Sequence, residues 1–99
     1  MRTIWKQELK LEVAQIIEIP RDSIIRSVQL QNDVLCLWFE FAWEDHNDLE
    51  QRAIQVVGTG HVEIPDDGAE HIGTVISRSE MFVWHVFDVT EHYRTHTKQ

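Results

Sequence analysis

A glycine-rich segment, Gly58-Thr59-Gly60-His61, has the residue types best suited to contacting a ligand. Glycine permits backbone conformations with positive φ, in which successive amide N–H groups can converge on an anion. The imidazole of His61 would add a hydrogen-bond donor. The segment lacks the further glycine and following helix of a dinucleotide-binding loop, and it lacks the lysine of a phosphate-binding loop. The sequence therefore predicts a site for a small anion here; the alternative is a sharp exit from a strand.

Acidic side chains dominate the charge of the chain. There are 17 acidic and 9 basic residues, for a formal net charge of −8. Proteins that bind nucleic acid neutralise phosphates with Lys and Arg, and this sequence has no basic stripe, so we do not expect it to bind nucleic acid directly. The clusters are Glu40, Glu44, Asp45, Asp48 and Glu50, and then Glu63, Asp66, Asp67 and Glu70. They indicate either a solvated face or a surface that docks on a basic partner, for which Asp66, Asp67 and Glu70 are the candidates.

Six histidines raise the question of a metal or an acid–base site. His92 and His96 stand four apart and would share a helical face, but a zinc site needs three or four ligands and no third lies in sequence reach. We therefore expect no metal and no cofactor. His61 and His71 lie on either side of the carboxylates of Asp66, Asp67 and Glu70. They would form an acid–base site with these carboxylates only if the fold supplied a pocket. No nucleophile motif accompanies them, so catalysis is the lesser alternative.

Four tryptophans could stack a ligand or line an interface. Trp38 and Trp84 lie in apolar strands and are expected in the core. Trp43 adjoins acidic residues at the end of a strand and is predicted to be an aromatic platform for the ligand. Trp5 lies in an amphipathic first strand and is predicted to belong to a partner surface. The single cysteine, Cys36, lies in an apolar run and is expected to be a buried free thiol.

One small β domain must position these residues. A chain of 99 residues has room for one core, and its apolar residues recur with a period of two, which predicts strands. We predict an all-β fold, a single small antiparallel β-sandwich or rolled sheet of about seven strands with space for a short helical turn. The domain is expected to span residues 1–89, followed by a polar tail over 90–99 that frays or forms a short helix. The predicted strands are 3–9, 15–19, 24–31, 34–42, 52–57, 71–78 and 81–88.

Turn residues define two hairpins and one long loop. Asn32-Asp33 joins the third strand to the fourth, because both residue types tolerate positive φ. Ser79-Glu80 is the predicted two-residue turn between the sixth strand and the seventh. Within the third strand, alternation places Ile24 and Val28 on the core face. The fourth strand is almost continuously apolar, which predicts a central strand covered on both faces. The acidic loop, residues 59–70, has a length that is often functional in a small domain.

Five blocks of sequence follow one another in a distinctive order. They are TIWK at 3–6, SVQLQNDVLCLW at 27–38, GTGH at 58–61, IPDDGAEHIGT at 64–74 and FVWHVF at 82–87. This order resembles a family of short phage and prophage proteins without established biochemistry. The chain departs from it in the turn after Pro20, which is Arg-Asp-Ser where glycine is familiar, and in about ten residues beyond the usual end. The resemblance implies a small phage accessory protein rather than a housekeeping enzyme.

Three functions follow from these observations. In the first, a homo-oligomer, with a dimer favoured, sequesters a small anionic, nucleotide-like host signal as a counter-defence. In the second, the acidic face docks on a basic surface of a host or phage protein. In the third and least favoured, His61 with a carboxylate cleaves a phosphodiester. No apolar run has the length of a membrane span and the N-terminus lacks the apolar core of a secretory signal, so we expect the host cytosol and no membrane contact.

Overall fold

Seven β-strands and a short helix make up the part of the chain that the structure, a computed structural model, describes: residues 1–11 and 13–96. In chain order they are β1 (Arg2–Glu8), β2 (Ala14–Pro20), β3 (Ile24–Gln31), β4 (Val34–Ala42), β5 (Leu49–Gly58), β6 (Glu70–Ile76), β7 (Val83–Asp88) and α1 (Thr90–His96). A single 3₁₀ turn, Trp43–Asp45, follows β4. The predicted all-β fold of about seven antiparallel strands is confirmed.

Two antiparallel sheets share one core. The first has the order β1-β4-β3 and the second β2-β5-β7-β6. Alternate residues of each strand point inwards, and Leu37 and Phe41 from β4 meet Ile54 from β5 and Val86 from β7. These four side chains are fully buried. The core therefore comes from the period-two pattern of both sheets.

The outer face of β4 is covered less completely than its apolar sequence predicts. β4 is the central strand of its sheet, as expected. Cys36 is a buried free thiol, but Trp38 is only half-buried. The Glu40 carboxylate is held by Arg2 and Arg26 from the flanking strands, and hydrogen bonds from these guanidinium groups lower its pKa. No second layer lies over this face in the residues that the structure describes, so β4 is buried on one side and screened by neighbouring side chains on the other.

A β-bulge in β3 reverses the predicted orientation of its first residues. The register with β4 shifts between Ile25 and Ser27. Because an extra residue inverts the alternation, Ile25 packs on the core and Ile24 is 43% exposed. The prediction that Ile24 faces the core is therefore wrong, whereas Val28, beyond the bulge, is buried as expected.

The two sheets meet along β3 and β6. A second register shift, between His71 and Gly73, bends β6 at this seam. A Cβ atom added to Gly73 would lie 2.8 Å from Cγ1 of Val28. The absence of a side chain at Gly73 therefore lets the strands approach closely, which closes the sandwich on one side.

The last hairpin has a longer connection than the two-residue turn expected from its sequence. β6 ends at Ile76 and β7 begins at Val83. Between them, the Ser77 and Phe82 backbones are hydrogen-bonded and the Phe82 amide also donates to the Ser77 hydroxyl, at 3.1 Å. Side-chain bonding of Ser77 favours a six-residue loop over a tight turn.

The polar tail contains a helix that is attached to the second sheet. The Thr90 amide donates to the Asp88 carboxylate at 2.9 Å, and the Thr90 hydroxyl accepts from the Ala53 amide of β5, also at 2.9 Å. α1 thus starts on a buried anchor and runs to His96; residues 97–99 of the predicted tail lie outside the described residues. In the described part of the chain, no helix has the length and apolar character needed to cross a membrane.

The loop between β5 and β6 is also held in place. The Gln55 side-chain amide donates to the Glu63 carbonyl at 2.5 Å. At the far end of the loop, the His92 amide of α1 donates to the Gly68 carbonyl at 3.1 Å. These two bonds fasten the acidic loop to β5 on one side and to α1 on the other.

Candidate functional site

The Gly58-Thr59-Gly60-His61 segment forms a tight turn at the end of β5. Gly60 has φ +91°, the left-handed conformation that glycine permits. The His61 amide donates to the Gly58 carbonyl at 3.2 Å, and the exposed His61 ring lies against Gly58. The Thr59 hydroxyl hydrogen-bonds to Nε2 of His85 at 2.7 Å. The His61 amide and the Thr59 hydroxyl, which the sequence predicts to be available to an anion, therefore already have hydrogen-bond partners within the protein.

A row of polar side chains continues from this turn across the second sheet. His85 bonds to Thr59 through Nε2 and to the Thr74 hydroxyl through Nδ1, at 2.9 Å. Thr74 also bonds to Nε2 of His71, at 3.1 Å, and the His71 ring packs on Phe87 with centroids 5.1 Å apart. His85 is thus a half-buried histidine with both ring nitrogens hydrogen-bonded.

Trp43 lies at the other end of β5 from the glycine turn. Its ring stacks on His46, with centroids 4.4 Å apart, and meets Trp5 edge-on at 6.1 Å. β5 begins shortly after Trp43 and ends at Gly58, and a ten-residue strand spans about 30 Å. The structure therefore separates the predicted aromatic platform from the turn and places it beside Trp5, the predicted partner contact, with both rings about half exposed.

A polar cleft of about 520 Å³ opens between the acidic loop, α1 and the start of β5. Its charged lining comprises five carboxylates and two guanidinium groups, a formal charge of −3. The lining residues are Asp22, Ser23, Glu50, Arg52, Gly68, Ala69, Glu70, Asp88, Thr90, Glu91 and Arg94. Among the residues predicted for a partner surface, only Glu70 belongs to this set.

Arg52 and Asp88 form the shortest ion pair of the cleft, and both side chains are mostly buried. Nη2 of Arg52 lies 2.6 Å from Oδ2 of Asp88, and the side chains are 16% and 10% exposed. Nη1 of Arg52 also donates to the Ser23 carbonyl at 3.1 Å. Burial raises the pKa of Asp88, but hydrogen bonds from Thr90 and the pairing with Arg52 outweigh burial, so that the net pKa lies below its ordinary value.

The guanidinium group of Arg94 pairs with Glu50, the other carboxylate of the cleft that is mostly buried. Oε1 of Glu50 accepts from the Asp22 amide at 2.6 Å, and Oε2 accepts from Nη2 of Arg94 at 3.1 Å. Neither Asp22, Glu70 nor Glu91 takes part in an ion pair with any described residue. The cleft therefore presents uncompensated negative charge to solvent.

The acidic loop meets histidines other than those expected to approach it. His61 lies on Gly58 and His71 bonds to Thr74, and neither forms an ion pair with a described carboxylate. Instead, Oδ1 of Asp67 lies 3.4 Å from Nδ1 of His92 and 3.6 Å from Nε2 of His96. Asp66, the neighbouring predicted residue, is exposed.

A comparison of the sequence with protein families matches residues 1–96 to DUF7352, a domain of unknown function. The chain belongs to this family. No curated protein and no solved structure matches the chain. The matched range covers all seven strands, the acidic loop and α1, so the cleft is formed within the DUF7352 domain.

The basic residues of the DUF7352 cleft, Arg52 and Arg94, are not among the site residues predicted from the sequence. Arg52 and Asp88 are 36 residues apart, and Arg94 and Glu50 are 44 apart. Each residue stands alone in the sequence without a motif. Only the pairing of β5 with β7, followed by α1, brings them together.

Proposed function

We propose that this protein acts by binding, and that its acidic cleft docks on a basic surface of a partner protein. The observation that carries the proposal is the charge of the cleft, in which five carboxylates face two guanidinium groups that are already paired. A small anion would be repelled there, whereas a Lys or Arg side chain would gain charge-assisted hydrogen bonds.

The carboxylates are suited to docking because the fold already holds part of the cleft in position. Glu50 is fixed by the Asp22 amide and by Arg94, and Asp88 by Thr90 and Arg52. A preorganised site loses less conformational entropy on binding. Glu70 and Glu91 lie at the exposed side of the cleft, where an incoming cation would first be attracted.

The resemblance to short phage proteins supports a bacterial host protein as the partner and the host cytosol as the place of action. A small phage protein that occupies a basic surface would inhibit its target without any turnover. Asp66 and the Trp5–Trp43 pair then become secondary contacts whose participation depends on the size of the partner.

The test is affinity capture from a bacterial lysate with the full chain as bait, at low and at high salt. We expect one protein to be retained at low salt and lost at high salt, because exposed charges are screened. The cleft variant Glu70→Lys/Glu91→Lys should lose that protein. The matched control is Glu44→Lys/Asp45→Lys, which makes the same change in net charge around the 3₁₀ turn and should retain it.

Equal loss in both variants would attribute capture to net charge alone and would overturn the assignment to the cleft. Retention of the captured protein by both variants would also overturn the assignment to the cleft. The captured protein must also bind the purified chain with a one-to-one stoichiometry in a titration. The cleft variant should bind more weakly than the wild type and the control variant.

A second candidate is sequestration of a small anionic, nucleotide-like signal at the glycine turn. The row of hydrogen-bonding side chains from Thr59 through His85 and Thr74 to His71 supports it, since a phosphate could exchange with these groups. Native mass spectrometry of the protein purified from a signal-producing host is the test. A reproducible extra mass that is absent from His61→Ala supports sequestration, and its absence from both proteins argues against it.

A further inference from the structure

Three potential metal ligands converge where the acidic loop meets α1. Asp67 comes from the loop, and His92 and His96 come from successive turns of the helix. One ligand atom from each lies within 4.8 Å of the others. The carboxylate oxygen is 3.4 Å and 3.6 Å from the two imidazole nitrogens. Ligands at 2.0–2.1 Å from a tetrahedral zinc ion are separated by about 3.3 Å, and both carboxylate–imidazole distances are already close to that spacing.

The hydrogen bonds of α1 leave the correct nitrogen of His96 free. Nδ1 of His96 lies 2.8 Å from the His92 carbonyl, an acceptor, so Nδ1 carries the proton and donates it. Nε2 of the neutral ring then has a lone pair, and Nε2 is the atom that faces Asp67. A backbone carbonyl that fixes the tautomer in this way is the usual outer-shell partner of a metal-bound histidine.

Gly68 explains how the loop comes close enough to supply the third ligand. It has φ +70°, and its carbonyl accepts from the His92 amide at 3.1 Å. A Cβ atom at this position would collide with the backbone of His92. The residue after Asp67 must therefore be glycine for the loop to touch the helix, which places the carboxylate beside both imidazoles.

We propose that Asp67, His92 and His96 bind a divalent transition metal ion of the zinc class. Two imidazole nitrogens and one carboxylate oxygen form a donor set that suits borderline ions, and three protein ligands leave a fourth position open to water or to a partner's side chain. The proposal is independent of the docking function. Its consequence is structural, because the ion would join the acidic loop to α1, and both elements line the cleft.

The test is metal titration of the full chain without an affinity tag. Calorimetry with Zn²⁺ should give one ion per chain, and Co²⁺ should give the visible spectrum of a four- or five-coordinate site with nitrogen and oxygen ligands. Mg²⁺ should produce no comparable heat, because it prefers oxygen ligands and retains its waters.

Four variants assign the site. Asp67→Asn, His92→Gln and His96→Gln should each weaken Zn²⁺ binding by more than about 10-fold, an effect that even outer-shell changes reach. His46→Gln is the control, since His46 is half-buried, stacks on Trp43 and lies outside the cluster. Its affinity should be unchanged. Circular dichroism must show the wild-type spectrum for all four.

Three results would overturn the proposal: no saturable Zn²⁺ binding by the wild-type chain, equal weakening in His46→Gln, or wild-type affinity in any two of the three ligand variants. The two histidine variants decide between coordination and simple charge attraction. Loss in Asp67→Asn with wild-type affinity in both histidine variants is one form of the third result, and it would indicate a diffuse acidic site.

Discussion

At the scale of single residues, the cleft depends on groups that are charged and mostly buried. Removing one partner of a buried ion pair leaves the other without compensation, which costs more than the pair itself contributes. Arg52 and Asp88 are in this situation, whereas Arg21 and Asp48, at 3.0 Å but about half exposed, are not. The two pairs make a matched comparison within one molecule.

We expect Asp88→Asn to lower the free energy of unfolding by about 2 kcal/mol at neutral pH, since hydrogen bonds to a charged group are lost. Asp48→Asn should change it by less than about 0.5 kcal/mol, because solvent screens the pair. Urea denaturation of the two variants measures both effects. Equal effects would mean that the cleft pair does not support the fold.

The lowered pKa of Asp88 also predicts an acid dependence of stability. As the pH falls, the unfolded chain takes up a proton at its ordinary pKa of about 3.9, before the folded protein does. The contribution of Asp88 is therefore fully present above that value and lost as the pH falls through the folded pKa. Unfolding free energies measured from pH 6 down to pH 3 should fall more steeply for the wild type than for Asp88→Asn; parallel curves would contradict the shift.

Gly60 and Gly68 both have positive φ, but only Gly68 lies against another element. Comparing substitutions at the two positions therefore distinguishes backbone strain from steric overlap. Gly60→Ala should cost about 1 kcal/mol of stability, the cost of placing a side chain in the left-handed region, because no atom of the described residues beyond its chain neighbours lies within 4 Å of the added atom. Gly68→Ala should cost at least about 1 kcal/mol more, since its Cβ collides with α1. Urea denaturation measures the difference, and equal costs would show that the loop does not rest on the helix in solution.

At the scale of elements, two bulges shape the seam between the sheets. One register shift lies between Ile25 and Ser27 of β3, and the other lies between His71 and Gly73 of β6. Bulges increase local twist, which lets two edge strands approach without pairing as one sheet. The packing of Val28 on Gly73 is the contact that results.

A double-mutant cycle tests this contact. Gly73→Ala should destabilise the protein because its Cβ would overlap the Val28 side chain, and Val28→Ala should cost about 2 kcal/mol through the cavity it leaves. In the double variant the added methyl fills space that Val28 vacates. We expect the combined loss to be smaller than the sum by at least about 0.5 kcal/mol in thermal or urea unfolding. Strict additivity would place β3 and β6 farther apart in solution.

At the scale of the whole molecule, the sandwich has free strand edges on the side opposite the seam. Among the described residues, β1 and β2 each pair with a neighbouring strand on one side only. Exposed apolar side chains follow them, including Ile4 at 54% and Ile16 at 59% exposure. Unpaired edges with apolar residues favour association with another chain. This arrangement is the basis for the dimer that the sequence predicts.

Light scattering coupled to size exclusion tests the dimer. We expect the wild-type chain to elute at twice its own mass and Ile16→Lys to elute as a monomer, because a lysine on the edge strand opposes pairing. Ile76→Lys is the control, with a similar exposure of 57% at the end of β6, and should remain a dimer. A monomeric wild type would refute the prediction outright.

The sequence alone determined the fold class, because short apolar or alternating segments separated by turn residues such as Asn32-Asp33 predict antiparallel strands. It also identified the acidic loop. It did not determine the bulge before Ser27, since a bulge depends on the partner strand, or the contacts of Asp67 with His92 and His96, which are 25 and 29 positions away. The cleft was likewise decided by tertiary structure alone. Ion pairs and ligand sets form between residues that strand pairing brings together, and sequence separation carries no information about such pairs.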